Sequence, residues 1–84
     1  MKIEEKVSKL PQGKPVIGMR EIVKSINSNG VNVVFIASNC PEEMVNAIKS
    51  KKVKIKLFDG DQKKLGTSAG KPFPISMVGF NEEK

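Results

Sequence analysis

VNVVFIASNCPEEMVNAIKSKKVKIKLF, residues 31–58, is the stretch whose reading decides the fold. Its first six residues (31–36) are strand-like and nearly all apolar, which predicts a central strand covered on both faces. Ser38, Asn39 and Cys40 lead to Pro41, a favoured first helical residue, and Glu42 and Glu43 suit the positive first turn. Met44, Val45, Ala47 and Ile48 then give one apolar helical face reaching about residue 51. VKIKLF (53–58) alternates, with Val53, Ile55 and Leu57 on one side and Lys54 and Lys56 on the other. This is the pattern of a half-exposed strand, and its lysines discourage edge-to-edge pairing.

Outward from that unit the same alternation continues. Upstream, Met19, Ile22, Val23 and Ile26 fall at i, i+3, i+4 and i+7, predicting a helix from about 18 to 29. Asn27, Asn29 and Gly30 end it, with Gly30 expected to be the left-handed residue. Pro15 to Ile17 reads as a short extended stub. Residues 2–10 read as an amphipathic helix, with Ile3, Val7 and Leu10 on one face and Pro11 and Gly13 stopping it. Downstream, Asp59-Gly60-Asp61 is a turn, and Asp61 is placed to cap a short helix over 62–69. Gly66 to Pro74 reads as a loop, ISMVGF (75–80) as a last strand, and 81–84 as a polar tail. Strands alternating with helices predict an α/β fold: a three-layer α/β/α sandwich with a mixed sheet of about four strands. Patterning alone leaves the strand order open.

Eighty-four residues fit one small domain, with a core over 10–80. A chain of this size buries only about 60% of its unfolded surface. Lys plus Arg number 15 against 9 acids, a net +6 with no histidine. That balance favours an anionic partner, nucleic acid first, although solubility alone is the plainer explanation. One cysteine makes no internal disulfide, which fits a reducing compartment such as the cytoplasm. No apolar run approaches the ~18 residues of a membrane span. The opening MKIEEKVSKL carries acids and no apolar stretch of signal-peptide length, so no membrane partner is expected.

Catalysis finds little support. Histidine is absent, and no Cys, Asp and Glu cluster has metal-ligand spacing, so no metal or cofactor is implied. Cys40 lacks an evident base; a helix N-terminus lowers a thiol pKa, but a small half-buried residue is the simpler reading. GTSAGK (66–71) resembles a phosphate loop at first sight. It has three residues between its glycines where four are required, Pro72 where Ser or Thr should hold a metal, and a strand after it where a helix should begin. A small nucleotide-binding enzyme is thus a remote alternative.

An RNA-binding surface uses the same residues better. Gly18 lets a backbone approach closely, and Arg20 and Glu21 project from the first helical turn beside Met19. Arginine can donate a fork of hydrogen bonds to phosphate or guanine, glutamate can accept from base N–H groups, and Lys24 lies one turn on, placed for a phosphate. Ordinary solvated polar residues at a helix start would look the same. Phe73, between Pro72 and Pro74, sits where a core phenylalanine is not expected, and a stiff loop there could stack an unstacked base. The competing reading is a phenylalanine that plugs the end of the sheet.

VIGMREIVKSI (16–26), FIASNCPEE (35–43) and LGTSAGKPFPIS (65–76) together resemble the L-thirty-e family of archaeal and eukaryotic large-subunit ribosomal proteins, within the wider L-seven-Ae kink-turn RNA-binding superfamily. The resemblance runs from about residue 15 to 80. It implies a three-layer α/β/α sandwich, a structural role in the ribosome, and binding of ribosomal RNA at a kink-turn, a sharp bend beside tandem sheared G·A pairs. It places Gly18, Met19, Arg20, Glu21 and Lys24 at the sheared pairs, Ser38, Asn39 and Cys40 in support beside them, and Ala69, Gly70, Lys71, Pro72 and Phe73 over the flipped-out base. The partners implied are ribosomal RNA and neighbouring large-subunit proteins, with a monomer when free, a cytoplasmic ribosomal location and no small-molecule substrate. A free kink-turn adaptor of another ribonucleoprotein is the alternative. Two departures stand out: the stretch from Pro41 to Val53 is several residues shorter than usual, with a lysine run at the cut, and Arg20-Glu21 stands where stand-alone kink-turn binders carry Asn-Glu.

Overall fold

The computed structural model describes residues 6–7, 9–11, 13–51 and 53–81. Along the chain these form β1 (Lys6–Val7), β2 (Val16–Ile17), α1 (Met19–Asn27), β3 (Val33–Ile36), α2 (Glu42–Lys49), β4 (Lys54–Phe58), α3 (Gln62–Ser68) and β5 (Met77–Phe80). The strands make one sheet in the order β1-β4-β3-β5-β2. β3 pairs in parallel with β4, from Val33 opposite Lys54 to Ile36 opposite Leu57. Parallel neighbours need a crossover, and α2 supplies it. On its other side β3 pairs antiparallel with β5, which pairs antiparallel with β2. The sheet is therefore mixed, and its two outermost members are only two residues long.

All four residues of β3 are buried, as its apolar run requires. Val33 and Phe35 point to one face and join Phe58, Leu65, Val78 and Phe80. Val34 and Ile36 point to the other and join Ile22, Ile48 and Met77. Leu65 of α3 thus seals the first face, while Ile22 of α1 and Ile48 of α2 seal the second, each at 0% exposure. Burying an aliphatic side chain of this size stabilises a fold by about 1.5–3 kcal/mol. Phe35 and Phe80 meet edge to face, with ring centroids 5.8 Å apart. Helices on both faces of a mixed sheet give the three-layer α/β sandwich that the alternation predicts.

Three local expectations need correction. Lys6 and Val7, placed in an amphipathic helix over 2–10, instead form β1, parallel to Leu57 and Phe58 of β4. The Asp59 N–H donates to the Val7 carbonyl at 2.7 Å, and Val7 packs on the α3-side core. An uncovered sheet edge needs backbone partners, and that demand overrides a weak helical pattern. Residues 2–5 and 8 of the expected helix, Ile3 included, lie outside the described residues. At the end of α1 the left-handed residue is Asn29 (φ 63°), not Gly30. Gly30 N–H donates to Ser25 and Asn29 N–H to Ile26, a Schellman closure whose left-handed position falls one residue earlier than read. Lastly, Gly66 belongs to α3 and not to the following loop.

β2, β3 and β4 finish, and β5 begins, at the same end of the sheet: Ile36 lies opposite both Leu57 and Met77, and Ile17 opposite Val78. The segments leaving that end are Gly18 into α1, Ala37–Pro41 into α2, Asp59–Asp61 into α3, and the approach to β5. In open α/β sheets this carboxyl end is where ligands are met.

Candidate nucleic-acid interface

Gly18 is the N-cap of α1, with φ 92° and ψ 131°. A side chain there would meet nothing within 4 Å, so the glycine is required by its backbone conformation and leaves the helix start uncovered. The Ile22 N–H donates to the Gly18 carbonyl at 2.9 Å. The first-turn N–H groups of Met19, Arg20 and Glu21 precede that bond and receive no side-chain cap from Gly18. They form the positive end of a nine-residue helix. Arg20, Glu21 and Lys24 are exposed, and Met19 is half-buried. Arg20 and Lys24, four residues apart, share one helical face. An acceptor-rich, anionic ligand therefore meets N–H donors, a guanidinium and an ammonium, with one carboxylate able to accept from a base.

Across the sheet end, Ser38 and Asn39 are exposed and Cys40 is half-buried, and the first two also bond within the protein. The Ser38 N–H donates to the Gly60 carbonyl at 2.8 Å. The Asn39 Oδ1 accepts from the Gln62 N–H at 2.8 Å, and Gln62 Nε2 donates back to the Asn39 carbonyl at 3.1 Å. Asp61 caps the same helix, its Oδ1 accepting from the Lys64 N–H at 2.9 Å, as the sequence indicates. α3 is thus capped by two side chains from two different connections. Cys40 is half-buried against the core on the α1 and α2 side. Burial pushes its thiol pKa up, opposite to the lowering that a helix start would cause. A protonated, half-buried thiol is a packing group and not a nucleophile.

GTSAGK wraps the carbonyl end of α3. Ala69 N–H donates to Leu65, Gly70 N–H to Thr67 and Lys71 N–H to Gly66, a second Schellman closure with Gly70 left-handed at φ 76°. These N–H groups are occupied, and the helix end they close is the negative one, so no cradle for a phosphate exists here. The chain then turns back along α3. A β-carbon on Gly66 would fall on the Phe73 carbonyl oxygen, and Ile75 N–H donates to Gln62 at 2.9 Å. Lys71, Pro72, Phe73 and Pro74 are all exposed on this return, and Phe73 presents 47% of its surface to solvent. An exposed phenylalanine flanked by prolines is not a plug.

The structure brings five of these residues, Gly18, Met19, Lys71, Pro72 and Phe73, onto two clefts that share Pro74. Gly18 and Met19 share a cleft of about 180 Å³ with Met44 and Pro74 to Met77. Pro74 also borders the adjoining cleft of about 200 Å³, formed by Lys63, Thr67, Lys71, Pro72 and Phe73. Ala69 stands apart: it packs on the core and lines a different cleft with Leu10 and Phe80. Met44, Lys63, Thr67 and Pro74 are additions that the sequence did not single out. Lys63 and Thr67 are a helical turn apart on α3, and that spacing was the available signal.

Residues 1–84 match the family described as the Ribosomal protein L7Ae/L30e/S12e/Gadd45 family. Over 67 residues the chain is 39% identical to the large ribosomal subunit protein eL30 of Archaeoglobus fulgidus, covering 80% of this chain and 78% of that one. Over 77 residues it is 30% identical to the eL30 of Saccharomyces cerevisiae, covering 87% and 73%. These relatives are named as ribosomal proteins and not as enzymes. Among solved structures, a Bacillus halodurans protein of unknown function superposes with a TM-score of 0.71 at 19% identity, covering 82% of this chain and 72% of that one. A Giardia lamblia 15.5kD RNA binding protein superposes with a TM-score of 0.68 at 22% identity, covering 84% and 62%. At such identities the superpositions establish the fold alone.

Proposed function

The chain belongs to the Ribosomal protein L7Ae/L30e/S12e/Gadd45 family, and from that premise we propose that it is a structural, RNA-binding constituent of the large ribosomal subunit that holds ribosomal RNA at a kink-turn. On this reading residues 1–84 form one RNA-binding domain, monomeric when free and cytoplasmic on the ribosome. The start of α1, with Gly18, Met19, Arg20, Glu21 and Lys24, meets the sheared G·A pairs. A-form RNA hides its base edges in a deep, narrow groove, and a bend opens that groove to a helix start. Gly70, Lys71, Pro72 and Phe73 cover the base displaced by the bend, Ala69 holds that loop to the core, and Ser38, Asn39 and Cys40 hold the site from behind. The observation that carries the reading is the exposure of Phe73: a half-exposed aromatic, stiffened by two prolines, offers a stacking platform beside an open helix start.

A gel-shift titration at two salt concentrations tests it, comparing a kink-turn RNA with the same stems lacking the G·A pairs. Preference for the intact motif, lost in Arg20→Ala and Glu21→Ala, is the expected result. Equal affinity for both RNAs, lowered equally by these substitutions, would remove the base-contacting role. Co-sedimentation with large subunits separates a ribosomal protein from a free kink-turn adaptor.

A further inference from the structure

The charge of this chain lies away from the surface just described. Residues 49–56 (KSKKVKIK) hold five lysines and no acid, while the rest of the chain holds ten basic and nine acidic residues. The net charge of +6 is therefore one run of five positive charges on an otherwise nearly neutral protein. The fold carries Lys49, Lys51 and Lys54 to the opposite end of the sheet. α2 leaves the Pro41 end and finishes at Lys49, and β4 begins at Lys54. Lys54 lies opposite Val33, the first residue of β3, and Val33 lies opposite Phe80, the last of β5. At about 3.3 Å per residue, Lys54 is roughly 13 Å from the Phe58 end of its strand. That distance is about half of a molecule whose longest extent is 27 Å.

The run is also held in shape. Lys51 N–H donates to the Ile48 carbonyl at 2.9 Å and Val53 N–H to the Lys51 carbonyl at 3.0 Å, so a hydrogen-bonded corner joins α2 to β4. Lys49 and Lys54 are exposed and Lys51 is half-buried. Each has a plainer individual role. Lys49 complements the carbonyl end of α2, and Lys54, exposed at the start of β4, discourages edge-to-edge pairing. Neither role requires five like charges in eight residues, whose mutual repulsion opposes folding. A regularly spaced polyanion offsets such repulsion. The apolar residues of the run, Val53 and Ile55, pack into the core and are not offered to a lipid surface.

We propose that Lys49, Lys51 and Lys54 form a second RNA-contacting surface, which holds the phosphate backbone of an RNA segment separate from the one met at the Gly18 and Phe73 end. The proposal rests on RNA being the partner of this protein. It makes the domain a bridge between two RNA segments, with shape and base readout at one end and charge at the other.

The test uses the full chain and two RNAs, a kink-turn RNA and a labelled plain duplex. With the kink-turn RNA saturating, the duplex is expected still to bind and to give a slower-migrating ternary complex. The triple variant Lys49→Gln, Lys51→Gln, Lys54→Gln should lose the ternary complex. It should also lower the slope of log affinity against log salt for the duplex by about 2–3. The corresponding triple Lys→Arg variant should restore both, which separates charge from misfolding. If saturating kink-turn RNA displaces the duplex completely, or the glutamine variant keeps the parent slope, the second surface does not exist. Unchanged RNA binding with new self-association would assign the lysines to edge protection instead. Should the protein show no kink-turn preference while the glutamine variant still loses salt-dependent duplex binding, the kink-turn reading fails and this one stands.

Discussion

Ser38-Asn39-Cys40, which leaves β3, and Lys71-Pro72-Phe73, which returns along α3 towards β5, both stand out in the sequence, yet the fold uses them in opposite ways. The first is exposed at Ser38 and Asn39 yet tied to its own protein: the Ser38 backbone bonds Gly60, Asn39 bonds Gln62 twice, and Cys40 packs on the core. The second presents its side chains outward, including the large apolar Phe73. A polar residue whose acceptor is filled by its own protein supports a surface and does not form it. An exposed aromatic with no core to fill is the more informative one, because burial is the default for its type. The contrast divides the candidate residues into those that hold the site and those that face a ligand, and substitutions can break it.

Gly66→Ala should have the largest effect. The added methyl would fall on the Phe73 carbonyl oxygen and lie 3.3 Å from the Pro74 Cα, so the return segment must leave α3. Overpacking of this kind against backbone costs about 3 kcal/mol. Urea denaturation should show that loss, and RNA affinity should fall with it, because the Phe73 platform moves. An unchanged midpoint would mean that residues 71–74 are not seated against the helix. Phe73→Ala comes next and should separate the two quantities. RNA affinity should fall by about 1–3 kcal/mol if a base stacks there, while the denaturation midpoint stays close to the parent. A lost midpoint with intact RNA affinity would reverse the contrast and return Phe73 to the core. Asn39→Ala should do the opposite at smaller size. It removes a cap from α3, costing about 1 kcal/mol of stability. Its ratio of affinities for kink-turn and plain RNA should be unchanged, and a collapse of that ratio would make Asn39 a contact residue.

The sequence made the fold legible where periodicity was strong. The apolar run at 33–36 was readable as a central strand, and the helical stripe at 19–26 as a helix facing the sheet. It failed where a long-range backbone demand competed with a local pattern. Nothing within residues 2–10 reveals that Leu57 and Phe58 of β4 leave an edge for Lys6 and Val7 to pair with. Asn29 and Gly30 are both competent at a left-handed position, and which one takes it depends on the turn at which α1 ends. For the site, Phe73 was legible because two prolines isolate it from any regular element. Its exposure was not, since that depends on the return of 71–75 along α3. The internal use of Asn39 was hidden for the same reason: its partner, Gln62, lies 23 residues away.

Cys40 gives the smallest effect and the finest test of the supporting segment. Burial raises its thiol pKa above the ordinary 9.0. A group whose folded pKa is raised favours the folded state while it stays protonated. The unfolded chain ionises first as pH rises, and it then binds fewer protons than the folded one, so stability falls with increasing pH. The contribution is fully present below the unfolded thiol pKa and lost as pH climbs through that value towards the folded one. Denaturation midpoints of the parent should therefore decline above about pH 9 more steeply than those of Cys40→Ala, with parallel curves at neutral pH. The same burial predicts slow alkylation by iodoacetamide at pH 7–8, accelerated when urea opens the α2 side. Rapid alkylation in the native state, or a parent curve that parallels Cys40→Ala throughout, would show the thiol to be ionisable at the surface. Cys40 would then belong with Phe73 among the residues that face outward.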